Sequence, residues 1–224
     1  MKKVYLLNLL IFSVCMFANG CNAQSSQSPP SKTGAQGKLI GGPCDGCELM
    51  WIGIPATINS TDTSSGWKEA GQKMTVSGKV LMKDGRTPAP DVVIYYWQTD
   101  NNGYYSPGTG LPEKAARHGH IRGWVKSDRE GNYSIYTIRP TPYPNEDIPA
   151  HIHMLIKEPT VGNEYYIDDI LFDDDKILTK ARRQEVKNRG GSGIVKLNKE
   201  VPVHKASRNI VLGLNIPDYP GAPQ

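Results

Sequence analysis

The sequence has only one long apolar run, which lies near its amino terminus and ends at Phe17. No other stretch is long and apolar enough to span a bilayer, which excludes a multi-span membrane protein. Basic residues form no stripe, because charges of both signs alternate along the chain, so nucleic acid is not an expected partner. No internal repeat is visible, which argues against a solenoid or a propeller.

Cysteine is scarce, and this limits the sites that it can form. Two of the four cysteines, Cys15 and Cys21, fall in the amino-terminal region, and the other two are Cys44 and Cys47. A zinc knuckle would need a second pair of cysteines. A thioredoxin-like redox site would need a βαβ setting, which the sequence does not show. An exported compartment permits disulfides, so we expect a small Cys44–Cys47 loop.

The amino terminus predicts export. Two lysines precede the apolar run, and small and polar residues follow it, as in a secretory signal peptide over residues 1–20. The segment Ala-Asn-Gly-Cys at 18–21 is typical of a bacterial lipoprotein signal, in which the cysteine is lipidated. Cleavage after Ala23 by an ordinary signal peptidase is the alternative. The sequence favours an exported lipoprotein, anchored through Cys21 in the periplasm or at the cell surface.

Residues 21–38 predict a flexible tether, and residues 39–224 a single folded domain. The tether is rich in Ser, Gln, Pro and Gly and has too few apolar residues to bury a core. The formal charge of the whole chain is +4, and loss of the two lysines of the leader leaves about +2.

The folded part is predicted to be all-β. Turn signals such as Asn-Asn-Gly at 101–103 separate short apolar or alternating runs, and this pattern indicates a sandwich or a barrel. One helix is predicted over 175–188, with the aspartates at 173–175 as its cap and Gly190 as its stop. The predicted strands are 74–82, 92–98, 121–126, 133–138, 151–157, 194–197 and 209–214.

His151 and His153 begin the apolar run 151–156, which predicts a strand. Alternate strand residues share a face, so the two imidazoles should project together while Ile152 turns into the core. Tyr143 lies eight residues upstream of His151, in a turn bracketed by prolines.

This residue set predicts a metal site. Imidazole suits several transition metals. A phenol, whose pKa is ordinarily about 10, becomes a ligand at neutral pH only beside a strongly Lewis-acidic ion, and this favours Fe(III). Without a third ligand, however, two such histidines are often only polar residues on a half-exposed strand.

Three segments together resemble the intradiol ring-cleavage dioxygenases, the family of the catechol 1,2- and protocatechuate 3,4-dioxygenases. Residues 93–106 are similar to the family's strand that ends in Trp-Gln or Trp-His before a Gly-x-Tyr turn. Residues 127–140 resemble its Asp-Gly-x-Tyr strand, which leads to Thr-Ile-x-Pro. The third segment has Pro-Tyr-Pro at 142–144, followed by Pro-Ala-His-Ile-His at 149–153. Order and content match over residues 79–157.

The resemblance implies a β-sandwich catalytic core and a four-ligand Fe(III) site. Gly103 fixes the count of the family's Gly-x-Tyr pattern, so the second tyrosine after it is preferred to Tyr104 as a ligand. In the family, the tyrosine of Pro-Tyr-Pro leaves the metal when catecholate binds and takes up a proton, and that catalytic role falls on Tyr143. Carried over by motif, the four iron ligands are Tyr105, Tyr143, His151 and His153.

The implied activity is the cleavage of a catechol-type diol by dioxygen to a muconate-type diacid, with no organic cofactor. Classical members also carry a helical amino-terminal dimerisation segment. This chain has no room for one between the tether and the first strand, and the sequence leaves its oligomeric state open. Ile148 stands where the well-studied relatives have an arginine that stabilises developing charge. The candidate replacements from other segments are Arg122, Arg139 and Arg189.

Two other functions fit parts of the sequence. A cupin-like metalloenzyme would use the two histidines with Glu158, although the glycine expected before the first histidine is missing. A non-catalytic sandwich module would leave the tyrosine and histidine set unexplained.

Several other features have simple interpretations. His118 and His120 repeat the His-x-His spacing and are predicted to belong to a polar loop. Asp168 and Asp169, with the aspartates at 173–175, are predicted to be the solvated start of a helix. Trp97 and Trp124 are predicted to be core residues.

Overall fold

The computed structural model describes residues 39–221, so the signal peptide and tether predicted for residues 1–38 lie outside it. Eleven strands account for most of its regular structure. They are accompanied by one α-helix, α1 (Lys180–Glu185), and by three short 3-10 turns. No helix in the described range has the length and apolar content needed to cross a membrane. The all-β prediction with one short helix is confirmed.

The strands form two sheets. In chain order they are β1 (Thr61–Thr63), β2 (Lys73–Leu81), β3 (Val93–Gln98), β4 (Arg122–Lys126), β5 (Asn132–Ile138), β6 (His151–Lys157), β7 (Tyr165–Tyr166), β8 (Ile170–Phe172), β9 (Ile194–Val195), β10 (His204–Ser207) and β11 (Ile210–Val211). The first sheet has the order β1-β5-β2-β10, and β11 also pairs with β2. The second has the order β4-β3-β6-β8-β9, and β7 also pairs with β6.

The main core contains residues from both sheets, and the alternation along β6 shows which face of the second sheet it covers. Ile152, Met154 and Ile156 are fully buried in this core. The intervening residues of β6 therefore face outward. There Leu155 packs with Tyr95 and Trp97 of β3 and with Met50 and Cys47 in a second, smaller cluster.

The predicted disulfide is present in this outer cluster. Cys44 and Cys47 are bonded, with their Cα atoms 5.6 Å apart. The bond closes a short loop at the start of a 3-10 turn, Cys47–Trp51. This loop covers part of the outer face of the second sheet, because Tyr166 donates a hydrogen bond to the backbone carbonyl of Asp45 at 2.8 Å.

The predicted helix start was wrong. The Asp175 carboxylate accepts hydrogen bonds from the backbone N–H groups of Ile177 at 2.9 Å and Ala150 at 2.8 Å, so it closes a turn and holds the entry to β6. Thr179 instead caps α1, which ends at Glu185. The seven predicted strands all occur, some shortened. The list of predicted strands lacks β1, β7, β8 and β10, each of which has at most four residues.

Candidate metal centre

His151 and His153 open β6 and direct their rings to the outer face of the second sheet, as the alternation predicts. Their Nε2 atoms are 3.1 Å apart. Each ring is held from behind at Nδ1. The partner of His151 is the backbone carbonyl of Pro149 at 2.8 Å, and that of His153 is the carboxylate of Asp169 at 3.1 Å. Both imidazoles therefore present Nε2 toward one point.

A turn organised by Asp100 brings Tyr105 to the histidines. The carboxylate of Asp100 accepts the backbone N–H of Tyr104 at 3.1 Å and the hydroxyl of Ser106 at 2.5 Å. This turn leaves Tyr104 56% exposed. The Tyr105 hydroxyl lies 2.9 Å from Nε2 of His153. The structure therefore places Tyr105, and not Tyr104, beside the histidines.

Gly103 lets the two tyrosine-bearing segments touch. It has a φ of +84°, and a Cβ added there would lie 2.3 Å from the carbonyl oxygen of Pro142. Only glycine permits this approach. It brings the hydroxyl of Tyr143 to 2.5 Å from that of Tyr105 and to 3.1 Å from Nε2 of His151. A physical reason for the Gly-x-Tyr pattern is thus contact with the Pro-Tyr-Pro segment.

The four side chains form a closed ring of donor atoms, which we call the ligand quartet: Tyr105, Tyr143, His151 and His153. Burial raises the pKa of Tyr105, and the hydrogen bond with Tyr143 raises it further. Burial also raises the pKa of Tyr143 and lowers that of His151. Without a metal, these two phenols and the His151 imidazole therefore favour their neutral forms. A bound cation would reverse this preference for the phenols, which would lose their protons, and would keep the imidazoles neutral. Two phenol oxygens with two imidazole nitrogens fit Fe(III), because phenolate is a hard donor.

A cavity of about 400 Å³ opens beside the quartet. It carries three carboxylates and one ammonium group, together with aromatic and aliphatic surface, and His153 is the quartet residue that lines it. Its lining residues are His153, Tyr166, Ile167, Asp168, Asp169, Leu171, Glu185, Val186 and Lys187.

None of the three arginines named as replacements lines the cavity beside the quartet. Ile148 is 37% exposed. The cavity beside His153 is lined neither by Ile148 nor by Arg122, Arg139 or Arg189. Arg122 donates to a backbone carbonyl elsewhere, and Arg139 pairs with Asp174 at 2.7 Å. Among the described residues, the cation that lines this cavity is Lys187.

Trp97 was predicted only as a core residue, but it also supports the quartet. It pairs with His153 across β3 and β6, and their rings stack with centroids 4.6 Å apart. Its ring also stacks on that of His118, with centroids 4.0 Å apart. The polar-loop prediction was therefore wrong for His118, which is 3% exposed and contacts the Tyr95 hydroxyl at 2.9 Å.

Asp169 was expected to be solvated, and this was also wrong, because its carboxylate contacts His153. Its place just before β8 brings it to His153 because β8 pairs with β6, and the sequence carries no signal for this pairing. Glu158, the acid of the cupin alternative, is buried and accepts hydrogen bonds from the hydroxyls of Tyr165 and Tyr219. It is therefore engaged away from the quartet.

Comparisons with known proteins agree with this geometry. The chain is 28% identical over 144 residues to a hydroxyquinol 1,2-dioxygenase of Nocardioides simplex, covering 57% of this chain and 46% of that protein. It is 31% identical over 120 residues to an intradiol ring-cleavage dioxygenase of Aspergillus niger, covering 44% and 37%. The chain thus spans less than half the length of these two curated relatives.

The fold and the family agree as well. The catechol 1,2-dioxygenase of Pseudomonas arvilla C-1 superposes with a TM-score of 0.53 at 18% identity, over 78% of this chain and 60% of that one. The family model described as Dioxygenase matches residues 54–192, which is more than half of the chain. This protein belongs to the intradiol ring-cleavage dioxygenase family.

Proposed function

We propose that this protein is an Fe(III)-dependent enzyme that cleaves a catechol-type diol between its two hydroxylated carbons, using dioxygen, to a muconate-type diacid. The observation that carries the proposal is the ligand quartet. Two phenols and two imidazoles from three separate segments present their donor atoms at 2.5 to 3.1 Å from one another. A non-catalytic sandwich would have no use for this convergence.

The protein's own groups would bind the substrate and move its protons. When bound, the ferric ion would supply the Lewis acidity that lets a catechol lose both protons. The proton acceptor that we assign is Oη of Tyr143, which lies on an irregular segment and not on a strand. His151 and His153 stay fixed because both belong to β6, and Tyr105 stays because its turn is closed by Asp100.

The charges of the cavity bear on the choice of substrate. Asp168, Asp169 and Glu185 line it against the single Lys187. A catechol that carries its own carboxylate would meet repulsion there, since charges of like sign disfavour each other. We therefore propose weak turnover of protocatechuate. We also propose weak turnover of unsubstituted catechol, because Ile148 stands in place of the arginine that stabilises developing charge, and better turnover of an uncharged, substituted catechol. Two of the curated relatives are named for hydroxyquinol and for catechol.

Iron content and colour test the proposal most directly. Purified protein should hold about one iron per chain and absorb visible light through tyrosinate-to-iron charge transfer. Tyr105→Phe and Tyr143→Phe should each weaken or shift this band, while Tyr104→Phe, the matched control on the exposed neighbour, should not. Stoichiometric zinc with full activity, or a colourless protein after reconstitution with Fe(III), would reject the proposal. Oxygen uptake with a panel of catechols then ranks the substrates.

We also propose that the mature protein is exported and anchored by lipid at Cys21. The support is the sequence pattern at 18–21, and a lipid with a tether would hold the folded domain clear of a membrane surface. Cys21→Ser should release the protein from membranes. Unchanged membrane partitioning of that variant would favour ordinary secretion, and mass spectrometry of the mature amino terminus decides independently.

A further inference from the structure

We infer that Asp169 is a positioning residue of the metal centre, whose carboxylate holds the His153 imidazole with Nε2 directed into the ligand quartet. Its effect on iron rests on the proposed function, whereas its effect on the imidazole does not. Asp169 has no equivalent among the four ligands carried over from the family motifs.

The sheet register places the two residues together. β8 pairs with β6 in antiparallel fashion, with Leu171 opposite His151 and Ile170 opposite Ile152. Asp169 immediately precedes β8, one position beyond the last of these pairs, on the side of His153. Directly opposed residues of antiparallel strands share a face and lie within side-chain reach. The pairing of β8 with β6 therefore brings Asp169 close to His153, with Oδ1 of the carboxylate 3.1 Å from Nδ1 of the ring.

The nitrogen that Asp169 contacts defines its role. A neutral imidazole carries its proton on one nitrogen and leaves a lone pair on the other. Asp169 occupies Nδ1, so the proton belongs there, and the Nε2 lone pair faces Tyr105 and His151 at 2.9 and 3.1 Å. Oδ1 lies behind the ring, which argues against Asp169 as a direct ligand.

The two histidines of the quartet therefore have different partners. His151 donates from Nδ1 to the neutral carbonyl of Pro149, whereas His153 donates to a carboxylate. An anionic partner makes an imidazole a stronger donor to a metal, and it adds negative charge near the site. This charge favours the higher oxidation state of a bound ion.

Asp169 is itself held in place. Arg208, which is 2% exposed, donates from Nη1 to the Asp169 carbonyl oxygen at 3.1 Å. A third of the Asp169 side chain remains accessible, and Asp169 lines the cavity beside His153.

Three variants separate charge from contact. Asp169→Asn keeps the shape and removes the charge, and Asp169→Ala removes both. Asp91→Asn is the matched control, because Asp91 is 68% exposed on a surface turn and does not contact the quartet. Thermal unfolding checks that each variant remains folded.

The first measurement uses metal-free protein. Long-range 1H–15N NMR should show His153 with its proton on Nδ1 in the wild type and in the Asp91 control. In Asp169→Ala, the Nε2–H form should gain population. A wild-type His153 with its proton on Nε2 would overturn the inference, whatever the protein does with iron.

The second measurement uses Fe(III)-loaded protein. Competition with a chelator should show an affinity 10 to 100-fold lower for Asp169→Ala, about the effect of losing such a partner. The tyrosinate band of Asp169→Asn should move to lower energy, because a less negative site makes the ferric ion more electron-poor. Unchanged affinity and band in both variants would overturn the inference. So would a loss as complete as that of His153→Ala, which would make Asp169 a direct ligand.

The two measurements distinguish the two proposals. If the wild type fails to bind iron but shows the Nδ1–H form of His153, the proposed function fails and the positioning role stands. If the wild type binds iron and is coloured, but the variants match it in tautomer and band, the positioning role fails alone.

Discussion

The chain carries the His-x-His spacing twice, and only one pair converges. His151 and His153 lie on the regular strand β6, with ring centroids 4.4 Å apart. His118 and His120 are separated by Gly119, which has a φ of +64° and ends a 3-10 turn. The spacing thus places two imidazoles together only when the backbone between them is a strand, since two-residue periodicity belongs to strands alone.

His118 and His120, the first pair in chain order, support His151 and His153 but do not belong to the ligand quartet. His118 stacks on Trp97, which stacks in turn on His153. His120 turns the other way and contacts Glu69 at 2.5 Å. Its backbone N–H and its Nδ1 also lie 3.0 and 2.7 Å from the carbonyl oxygen of Ser106, the residue after Tyr105. His151 and His153 present their Nε2 atoms to the quartet, and His118 and His120 pack around it.

The largest expected difference between the pairs is in iron binding. His153→Ala should lower the affinity for Fe(III) by at least about 100-fold, more than the loss of a supporting partner costs. His120→Ala should leave the affinity within a few-fold of the wild type. Chelator competition on both variants measures the contrast. Equal losses would mean that the spacing, and not the strand, determines the site.

A second contrast concerns Gly119, which links His118 to His120 and packs against Tyr105. A Cβ there would lie 2.9 Å from Cα of Tyr105, in a conformation with φ +64° and ψ −174°. Gly119→Ala should cost about 1–3 kcal/mol of unfolding free energy and displace Tyr105. Gly110→Ala is the control, because Gly110 has a φ of +77° but no atom within 4 Å of the added Cβ.

Urea unfolding and the visible band read out this contrast. Both glycine variants should lose stability through backbone strain, but only Gly119→Ala should also change the tyrosinate band. If Gly119→Ala keeps the wild-type band, the close approach to Tyr105 is not what positions that ligand.

The contributions of His118 and His120 to stability should depend on pH in opposite directions. Burial, together with the charge of His153, lowers the pKa of His118 to about 3. The unfolded chain therefore binds the proton first, so the contribution of His118 to stability falls as the pH drops below about 6.5. The slope is at most about 1.4 kcal/mol per pH unit. Although burial lowers the pKa of His120, contacts with Ser106 and Glu69 raise it overall. Its contribution is full at low pH and is lost as the pH rises.

Unfolding free energies of His118→Gln and His120→Gln between pH 5 and 8 check these signs. Relative to the wild type, the first variant should gain stability on acidification and the second should lose it. Parallel curves for the wild type and both variants would contradict the assignment of opposite shifts.

The sequence predicted more of the site than of what supports it. The strand that carries His151 and His153 was predictable because its period and its apolar residues are local. The proximity of Tyr105 to Tyr143 followed from a family motif, and Gly103 now gives it a physical reason. Asp169 could not be predicted, since its meeting with His153 depends on the pairing of β8 with β6.

The missed helix start has a similar cause. Asp175 has the local chemistry of a cap, but it is used by the backbone of Ala150, 25 residues earlier in the chain. Trp97 was correctly predicted as a core residue. Its stacking on His118 and His153 was not predicted, because His118 lies on a 3-10 turn that is distant in sequence from β3 and meets Trp97 only in the folded chain.

The smallest expected effect compares two carboxylates that each face a histidine. Glu69→Gln and Asp169→Asn make the same change, from carboxylate to amide, beside His120 and His153 respectively. Glu69 is 37% exposed, and His120 keeps its hydrogen bonds to the main chain, so Glu69→Gln should cost no more than about 1 kcal/mol in unfolding free energy. It should leave the iron affinity and the visible band unchanged, because no ligand atom depends on it. Asp169→Asn should move the band at a similarly small cost in stability. A band shift in Glu69→Gln would show that the carboxylate beside His120 acts on the ligand quartet, and the separation of the two carboxylates' roles would then be wrong.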